Sequence, residues 1–327
     1  MNQNWKNFLL KLQATIDGDD AVVNFPAISD YNGKTIYPVA HLSVLTVSGA
    51  DAAHFLQGQI TCNINDITET QSSLGALCNP KGRAIATFLL VKSGDAFLMI
   101  LPVEQLAQVK KRLQMYVLRS AVSLSDGSDQ YSLIGLNDPK TQAAPLFSSS
   151  RQDGISVSFS AAHGRYLVIA ETDKAMALWS ERVGQGYRPQ SSDYWRYLDI
   201  LAGIPWLTAA TSEEFIPQML NLDLLGGISF NKGCYTGQEI VARTHYLGKA
   251  KRALFLAECD TPSTPIANAV IIDDSTGAEL AVGKVLQAAR NCEGTLCKML
   301  IVLQIADSGA YNLKLKDDKL TPITLLT

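Results

Sequence analysis

One cysteine of this sequence stands in a setting that favours thiol chemistry. It is Cys234, within the segment KGCYTGQE that runs from Lys232 to Glu239. Lys232 places a positive charge nearby, and positive charge favours the reactive thiolate form of a cysteine. Gly233 and Gly237 allow the backbone to approach a ligand closely or to adopt positive φ. The segment therefore predicts an accessible, activated cysteine.

A helix is predicted to begin directly after this cysteine. Thr236 and Glu239 have the T-x-x-E spacing of a capping box, which predicts an N-cap at Thr236 and a helix over residues 237–246. Gly248 is the expected stop. Glu239 and Arg243 are four residues apart and should form an ion pair on the helix surface. The positive end of the helix dipole adds a second reason to expect a thiolate.

The alternative for Cys234 is a small buried residue at a domain junction, which is the commoner fate of a free cysteine. No histidine lies beside it in the sequence to act as a base, and we expect a structural role for His245. Reduced thiols are expected because no secretory signal or CxxC pair accompanies the six cysteines Cys62, Cys78, Cys234, Cys259, Cys292 and Cys297. Cys292 and Cys297 could meet at a hairpin tip, but without a further Cys or His pair they carry no metal assignment.

The residues around the cysteine are locally basic. Between positions 232 and 252 only Glu239 is acidic, against the five cations Lys232, Arg243, Lys249, Lys251 and Arg252. Such a stretch could hold a polyanion, for example a polyglutamate tail, an acidic partner or RNA, or it could be a solvated loop face. The sequence leaves both interpretations open.

The composition is that of an ordinary soluble globular protein. The chain has 327 residues, of which 47% are hydrophobic and 18% charged, with a formal net charge of −3. This length predicts two or three domains. The acidic balance argues against a surface that binds nucleic acid throughout. No apolar run is long enough for a membrane-spanning helix and no signal peptide is recognised, so we expect a cytoplasmic protein without membrane contact.

The residues before Gly248 mix strand and helix patterns. SVLTVSG (43–49) predicts a buried strand, and a hairpin is predicted where SSLGALC and RAIATFLLV flank a turn at 79–82. Helices are predicted for residues 103–118, for DKAMALWSERV and from near Ser192. These elements predict an α+β arrangement.

After about Gly248 the pattern changes to strands alone. RALFLAEC, NAVIIDD, ELAVGKVLQAA, CKMLIVLQIA and YNLKLKDD predict a small β-barrel or sandwich. A loop rich in Pro, Ser, Thr and Gln over 138–153 indicates a crossing between subdomains. We therefore predict two interleaved subdomains within residues 1–248, crossing near 138–153, and a C-terminal domain over 249–327.

The segment KGCYTGQE resembles the signature of the YgfZ family, folate-binding proteins related to the T-protein (aminomethyltransferase) of the glycine cleavage system. Further blocks agree with the family in order and spacing: FLQGQIT (55–61), NPKGR (79–83), AGIP (202–205), FIPQMLNLDLLGGISF (215–230) and VAR (241–243). The resemblance covers most of the chain. It implies a T-protein-like α+β fold with three domains in a ring-shaped arrangement around a folate-sized hole, the C-terminal domain being a small β-barrel.

The resemblance also implies a function. It implies binding of tetrahydrofolate or a derivative, and a role in synthesis or repair of iron–sulfur proteins and thereby in tRNA thiolation. Cys234 would be the essential thiol, supported by the motif residues Lys232, Gly233, Tyr235, Thr236, Gly237, Gln238, Glu239 and Arg243. Expected partners are folate and, indirectly, iron–sulfur enzymes as clients. Direct contact with tRNA, and whether any reaction is catalysed, stay open.

The implied folate site combines a match with departures. Trp195 matches a tryptophan that the family places at this site, where an indole face can stack on a pterin. A half-buried core position is the alternative. Leu42 stands where the family has a second tryptophan, and Leu201 stands where it has a glutamate. The cofactor-binding candidates are therefore Trp195 and Leu42, the latter as a departure.

Two other functions are compatible with the resemblance. The first is folate-dependent transfer of a one-carbon group to a small molecule or tRNA. The T-protein has a catalytic carboxylate in the hairpin, but residues 79–92 contain no Asp or Glu, so Asp199 or Glu214 would have to substitute. The second is an RNA-binding module that uses the basic stretch, which the overall acidity disfavours.

Overall fold

The computed structural model describes residues 1–17, 20–26, 33–142, 144–160, 162–261, 263–275, 279–291, 294, 296–305, 312–317 and 320–326. Elements are numbered in chain order. These residues form the α-helices α1 (Gln3–Lys11), α2 (Ala52–Gln57), α3 (Val103–Val117), α4 (Thr172–Gly184), α5 (Ser192–Leu201) and α6 (Gln238–Leu247). Short 3₁₀ turns occur at Ile64–Asp66, Ala209–Thr211 and Pro217–Leu220. None of the helices in the described ranges is long and apolar enough to cross a membrane.

The first large sheet contains the predicted hairpin. Its strands are β4 (Leu42–Ser48), β5 (Ser73–Cys78), β6 (Ala84–Ser93), β7 (Ala96–Pro102) and β8 (Ser123–Asp126). They are antiparallel in the order β5-β6-β7-β4-β8. The β5–β6 hairpin forms because two apolar runs flank a turn at Gly82, whose φ is 70°. The predicted strand over 43–49 and the predicted hairpin are confirmed.

The second large sheet contains one strand that precedes the first sheet in the sequence and five strands that follow it. It consists of β3 (Thr35–Pro38), β9 (Tyr131–Asp138), β10 (Ser149–Ser150), β11 (Ile155–Ser158), β12 (Gly164–Glu171) and β13 (Arg188–Pro189). The order is β10-β11-β12-β9-β3-β13, and β13 runs parallel to β3. A two-stranded sheet of β1 (Thr15–Ile16) and β2 (Val23–Asn24) lies near α5.

The passage of the chain between these sheets differs from the prediction. The chain leaves the second sheet after β3, forms the first sheet, and returns between β8 and β9. Residues 138–153 instead connect β9 to β11 within the second sheet. The prediction of a crossing at 138–153 was wrong because a polar loop indicates a connection but not which sheets it joins. The interleaving itself follows from β3, which precedes the first sheet and pairs with β9.

A third sheet follows α6. Its strands are β14 (Arg252–Cys259), β15 (Val270–Asp273), β16 (Leu280–Arg290), β17 (Cys297–Gln304), β18 (Leu313–Leu315) and β19 (Ile323–Leu325). The order is β18-β15-β16-β17-β14-β19, and a bridge between Lys314 and Pro322 brings the two edges together. The sheet is thus a nearly closed six-stranded barrel, as predicted. All its strands come after Gly248, which is compatible with the predicted domain boundary.

One buried apolar cluster joins all three large sheets. It contains Val44 and Leu89 of the first sheet, Leu167 of the second, Trp195 of α5 and Leu300 of the barrel, among other residues. Separate clusters lie under α3 and the outer face of the first sheet, under α1 and α4, and inside the barrel. Side chains from all three sheets therefore share one interior, which fixes their relative positions.

Candidate thiol site

Cys234 is the exposed cysteine among the five that the structure describes. The other four are buried: Cys62, Cys78, Cys259 and Cys297. Cys292 lies outside the described residues, and so does the predicted meeting of Cys292 with Cys297. The chain thus offers one described thiol that an external molecule can reach without a conformational change.

The helix after Cys234 begins differently from the prediction. α6 starts at Gln238, its N-cap is Gly237 with φ of 85°, and no side chain of the described residues caps it. The prediction of a Thr236 cap was therefore wrong. The left-handed turn at Gly237 lets the N–H of Gln238 donate to the carbonyl oxygen of Tyr235, at 3.1 Å. A backbone carbonyl, and not a side chain, therefore binds the first N–H group of the helix. The predicted ion pair between Glu239 and Arg243 is present, at 2.9 Å.

The turn at Gly237 packs directly on the turn of the β5–β6 hairpin. A Cβ atom at Gly237 would lie 2.5 Å from the Asn79 carbonyl oxygen and 3.0 Å from the Cα of Gly82. The hairpin turn is itself fixed, because the Asn79 side chain accepts hydrogen bonds from the N–H groups of Lys81 and Arg83, at 2.9 and 3.0 Å. Two sequence blocks far apart in the chain thus meet backbone to backbone.

Lys232 anchors the other side of the cysteine. Its Nζ donates to the carbonyl oxygens of Ile60 and Cys62, at 2.7 and 2.8 Å, and lies 5.1 Å from the ring centroid of Tyr235. Burial lowers the pKa of Lys232 to about 8. The ammonium group therefore joins the loop to the first sheet, and the expected support of a Cys234 thiolate by Lys232 stays a prediction.

The segment before Lys232 is fastened by Thr61. The Thr61 hydroxyl donates to the carbonyl of Gly227, at 2.7 Å, and the Thr61 carbonyl accepts from the N–H of Ser229, at 2.9 Å. The same hydroxyl accepts from the N–H of Ala76 in β5, at 2.8 Å. The blocks FLQGQIT and FIPQMLNLDLLGGISF therefore form one hydrogen-bonded unit.

The remaining motif residues divide between packing and exposure. Tyr235 is buried, and burial raises the pKa of its hydroxyl. Gly233 has open space where a side chain would stand. Glu239 and Arg243 are exposed, and Gln238 is half-buried. The helix is held through Val241, which is fully buried and whose carbonyl accepts from the Gln218 side chain, at 2.6 Å.

Aromatic rings cover the far end of α6. His245 stacks on Phe230 with ring centroids 3.7 Å apart, and Tyr246 meets both rings edge-on. This stacking agrees with the structural role expected for His245. Lys249 and Lys251 of the basic stretch are exposed.

Trp195 is a core residue in this structure. Its side chain is 0% exposed, the guanidinium carbon of Arg165 lies 4.1 Å from its ring centroid, and Tyr37 and Phe159 pack around it. A Cβ atom at Gly135 would come within 2.2 Å of its Cε3. The indole packs directly on a glycine of β9, and Arg165 covers one face. The expectation that Trp195 offers an open face for a pterin is therefore not met here.

Beside Trp195 lies a buried ion pair that the sequence analysis missed. Arg165 of β12 pairs with Asp199 of α5, and both side chains are almost fully buried. Asp199 also accepts a hydrogen bond from Nε1 of Trp206, at 2.8 Å. A charged residue within the apolar strand pattern GRYLVIAE is the signal that could have revealed Arg165.

Comparison with known proteins agrees with the resemblance noted in the sequence. Residues 31–173 match the family model of the GCVT N-terminal domain. The tRNA-modifying protein YgfZ of Colwellia psychrerythraea (strain 34H / ATCC BAA-681) is 33% identical over 243 residues, covering 70% of this chain and 73% of that protein. The chain belongs to the YgfZ family.

The YgfZ-family chain shares its fold with a T-protein. The glycine cleavage system aminomethyltransferase T from Bartonella henselae superposes with a TM-score of 0.68 over 90% of this chain and 85% of that one, at 14% identity. The predicted T-protein-like α+β fold is therefore confirmed. A heterotetrameric sarcosine oxidase from Corynebacterium sp. U-96 matches 46% of this chain and 81% of that one, at 12% identity and a TM-score of 0.31, too low to indicate a shared fold.

The positions at which this YgfZ-family chain departs from the expected pattern have clear places in the structure. Leu42 is buried in β4 and belongs to the same apolar cluster as Trp195. Leu201 is 42% exposed at the end of α5. Leu42 therefore fills interior space, whereas Leu201 faces solvent.

Neither substitute carboxylate is free to act in one-carbon transfer. Asp199 is buried against Arg165 and Trp206, and Glu214 binds Lys284 of the barrel at 2.5 Å. The hairpin at 79–92 has no acidic residue. Within the described residues, none of the carboxylates considered for this reaction stands unpaired beside the hairpin.

The centre of the molecule nevertheless holds polar atoms that lack partners. Buried nitrogens without a hydrogen-bond partner among the described residues include both ring nitrogens of His41, Nε and Nη1 of Arg165, and Nε1 of Trp195. Burial, with the nearby charges of Arg196 and Arg165, holds the pKa of His41 well below its usual value, so its ring is neutral. Unsatisfied buried donors cost about 1–3 kcal/mol each. Arg165 and Trp195 contribute donors to this set, and the neutral His41 ring contributes one donor and one acceptor.

Proposed function

We propose that this protein binds tetrahydrofolate or a derivative and supports the synthesis or repair of iron–sulfur proteins, and thereby tRNA modification, with Cys234 as the essential thiol. The observation that carries the proposal is the exposed Cys234 on a loop that is anchored on both sides. The similarity to the tRNA-modifying protein YgfZ of Colwellia psychrerythraea supports the same assignment.

The loop presents the thiol with its backbone already ordered. On the N-terminal side of Cys234, Lys232 donates hydrogen bonds to two carbonyl oxygens of the first sheet region. On its C-terminal side, Gly237 packs on the turn of the β5–β6 hairpin. Little conformational entropy is then lost when a sulfur, iron or one-carbon species binds the thiol. These residues hold and orient Cys234, and its sulfur atom is the group that binds this species.

Folate is the cofactor we propose for the interior. Its one-carbon-carrying heterocycle presents ring nitrogens and a carbonyl oxygen that can accept hydrogen bonds. Arg165 could donate from Nε and Nη1, and the neutral His41 ring could donate or accept. Trp195 would act by holding the Arg165 guanidinium in place, since that group covers its ring.

The proposed function also implies which proteins depend on this one and where in the cell it acts. Iron–sulfur enzymes, including those that thiolate tRNA, would depend on the protein indirectly, in the cytoplasm, without direct tRNA contact being required. A one-carbon transferase is the weaker alternative, because Asp199 and Glu214 are both engaged in ion pairs.

The thiol is tested in cells that lack their own copy of the protein. Such cells are supplied with wild type, Cys234→Ala or the control Asn231→Ala, which alters an exposed residue of the same loop. We expect Cys234→Ala to lose both an iron–sulfur enzyme activity and thiolated tRNA, while Asn231→Ala keeps both. If folded Cys234→Ala restores both signals, the thiol is structural and the proposal fails.

The folate site is tested separately with purified protein. We expect His41→Leu to weaken tetrahydrofolate binding at least about tenfold, because a polar contact is lost in the interior. The free energy of unfolding should not fall, because the replacement removes nitrogens that lack partners. His54→Leu, at an exposed histidine, is the matched control. Unchanged tetrahydrofolate affinity in His41→Leu would remove His41 from the site.

A further inference from the structure

Two cysteines face each other inside the C-terminal barrel. Cys259 on β14 and Cys297 on β17 are direct partners in the antiparallel register. Their side chains are 4% and 1% exposed and belong to the barrel's interior cluster. This cluster is separate from the apolar cluster that joins the three sheets. The pair plays no part in the thiol site at Cys234 or in the proposed folate site.

The backbone geometry of the pair suits a disulfide bond. Directly opposed residues of antiparallel strands have Cα atoms about 4.5–5.5 Å apart. Disulfides join cysteines whose Cα atoms are about 4.4–6.8 Å apart. In the reduced protein the Cys259 thiol donates to Sδ of Met299, at 3.8 Å, and the Cys297 thiol donates to the carbonyl oxygen of Lys298, at 3.9 Å. A bond between Cys259 and Cys297 would therefore need rotation of side chains and no movement of strands.

The two thiols are not equivalent. The neighbouring Cys259 thiol and the positive charge of Arg290 lower the pKa of Cys297. The neighbouring Cys297 thiol and burial raise the pKa of Cys259. Arg290 is the register partner of Cys297 on β16, so its charge is held beside that strand position. Cys297 is therefore the better nucleophile, and Cys259 is the proton donor beside it.

We propose that Cys259 and Cys297 are a site of reversible oxidation by hydrogen peroxide, which joins β14 to β17 through a disulfide bond. The Cys297 thiolate attacks one peroxide oxygen, an S–O bond forms, the O–O bond breaks, and hydroxide leaves as water after taking up a proton. The Cys259 thiolate then attacks the Cys297 sulfenic acid, an S–S bond forms, the S–O bond breaks, and a second water leaves. Two thiols are oxidised and one peroxide is reduced to two water molecules.

Peptide mapping of the full-length protein tests this directly. Reduced protein is treated with equimolar hydrogen peroxide, free thiols are blocked with N-ethylmaleimide, and the protein is digested with a protease that cleaves after Glu293, between Cys292 and Cys297. We expect a linked peptide pair containing Cys259 and Cys297, which disappears after treatment with dithiothreitol. The experiment is done in wild type and in Cys234→Ala, which removes the exposed thiol as a competitor for peroxide.

Single variants assign the two roles. In Cys259→Ala, Cys297 should stop at the sulfenic acid and be labelled by dimedone. In Cys297→Ala, oxidation of Cys259 should be at least about tenfold slower, because its pKa is raised and Arg290 is the register partner of Cys297 and not of Cys259. Cys292→Ser, as the control, should leave the linked pair unchanged.

The wild-type map decides the matter even where a variant fails to fold. If Cys259 and Cys297 both remain free in peroxide-treated wild type, the proposed site does not exist. A link from Cys292 to Cys297, or a link between two molecules through Cys234, with Cys259 still free, would overturn it equally. Because this readout requires neither folate nor iron–sulfur clients, its failure is independent of the proposed function.

Discussion

The loop around Cys234 and the interior around Trp195 are built in opposite ways. In the loop, the side chain of interest is exposed and its neighbours hold the backbone through hydrogen bonds and close packing. In the interior, Trp195 itself is enclosed, between Arg165 and the backbone of Gly135. In the loop, the residue proposed to react is therefore not a residue that stabilises the fold. In the interior, the same side chain would serve both the proposed folate site and the stability of the fold. Loss of function in a Cys234 variant and in a Trp195 variant would have different causes.

The largest effect should come from Trp195→Ala. Removing a fully buried tryptophan is expected to lower the free energy of unfolding by about 3–5 kcal/mol. Cys234→Ala should change it by no more than about 0.5 kcal/mol, since the side chain is exposed. Urea unfolding followed by far-UV circular dichroism measures both. Equal midpoints for Trp195→Ala and wild type would contradict the enclosed position of the indole.

A smaller effect is expected where the loop packs on the hairpin. Gly237→Ala must place a Cβ atom 2.5 Å from the Asn79 oxygen while keeping φ near 85°. Strain and collision together should lower the free energy of unfolding by about 2–3 kcal/mol. Gly233→Ala is the matched control, because a Cβ there meets nothing within 4 Å. The comparison uses the same urea measurement.

Equal stability of these two glycine variants would show that the two turns do not press on each other. The Gly237→Ala protein should also lose reactivity at Cys234 relative to Gly233→Ala, because the loop can no longer seat on the hairpin. The rate of reaction with a maleimide under native conditions reads this out. A faster rate in Gly237→Ala would contradict this expectation, because it would show that packing on the hairpin restrains Cys234 and does not promote its reaction.

The sequence predicted elements formed by local patterns. The β5–β6 hairpin, the strands of the barrel and the Glu239–Arg243 pair depend on alternation, turn residues and helix spacing, which are visible in a short window. The Gly237 turn was mistaken for a Thr236 cap because its conformation depends on contact with Asn79, far away in sequence. Local spacing carries no information about such a contact.

The interior was the less predictable region. A tryptophan suits both a core and a ligand site, so residue type alone could not place Trp195. Arg165 and His41 were missed because neither belongs to a motif, although a lone arginine in the apolar strand β12 is a visible signal. Their significance lies in unsatisfied nitrogens, a property that only the packed structure shows.

Lys232 should give the loop a distinctive pH dependence. Its pKa is about 8 in the folded protein, against 10.5 for an ordinary lysine. Between these values the unfolded state binds more protons, so the free energy of unfolding rises with pH over this window and this contribution is flat below about pH 8. Lys232→Met should lack this rise. It should also lose about 1–2 kcal/mol near neutral pH, because the carbonyls of Ile60 and Cys62 lose their donor.

Urea unfolding of wild type and Lys232→Met at about pH 7.5 and about pH 9.5 isolates the contribution of this group. The difference in unfolding free energy between the two proteins should grow with pH. Other alkaline titrations affect both proteins and cancel. A difference that stays constant would mean that Lys232 has its ordinary pKa, and a difference that shrinks as pH rises would mean that its pKa is raised because the carbonyl contacts outweigh burial.

The smallest change in the free energy of unfolding is expected at the N-terminus of α6, where it tests whether a side chain caps the helix. Thr236→Ala is expected to change the free energy of unfolding by less than about 0.5 kcal/mol, because no side chain of the described residues caps this helix. Asn2→Ala at α1 is the matched control. The Asn2 side chain accepts hydrogen bonds from the N–H groups of Asn4 and Trp5, and its loss should cost about 1 kcal/mol. A Thr236→Ala cost equal to that of Asn2→Ala would restore the capping box and would mean that the loop, like the interior, depends on its side chains for stability.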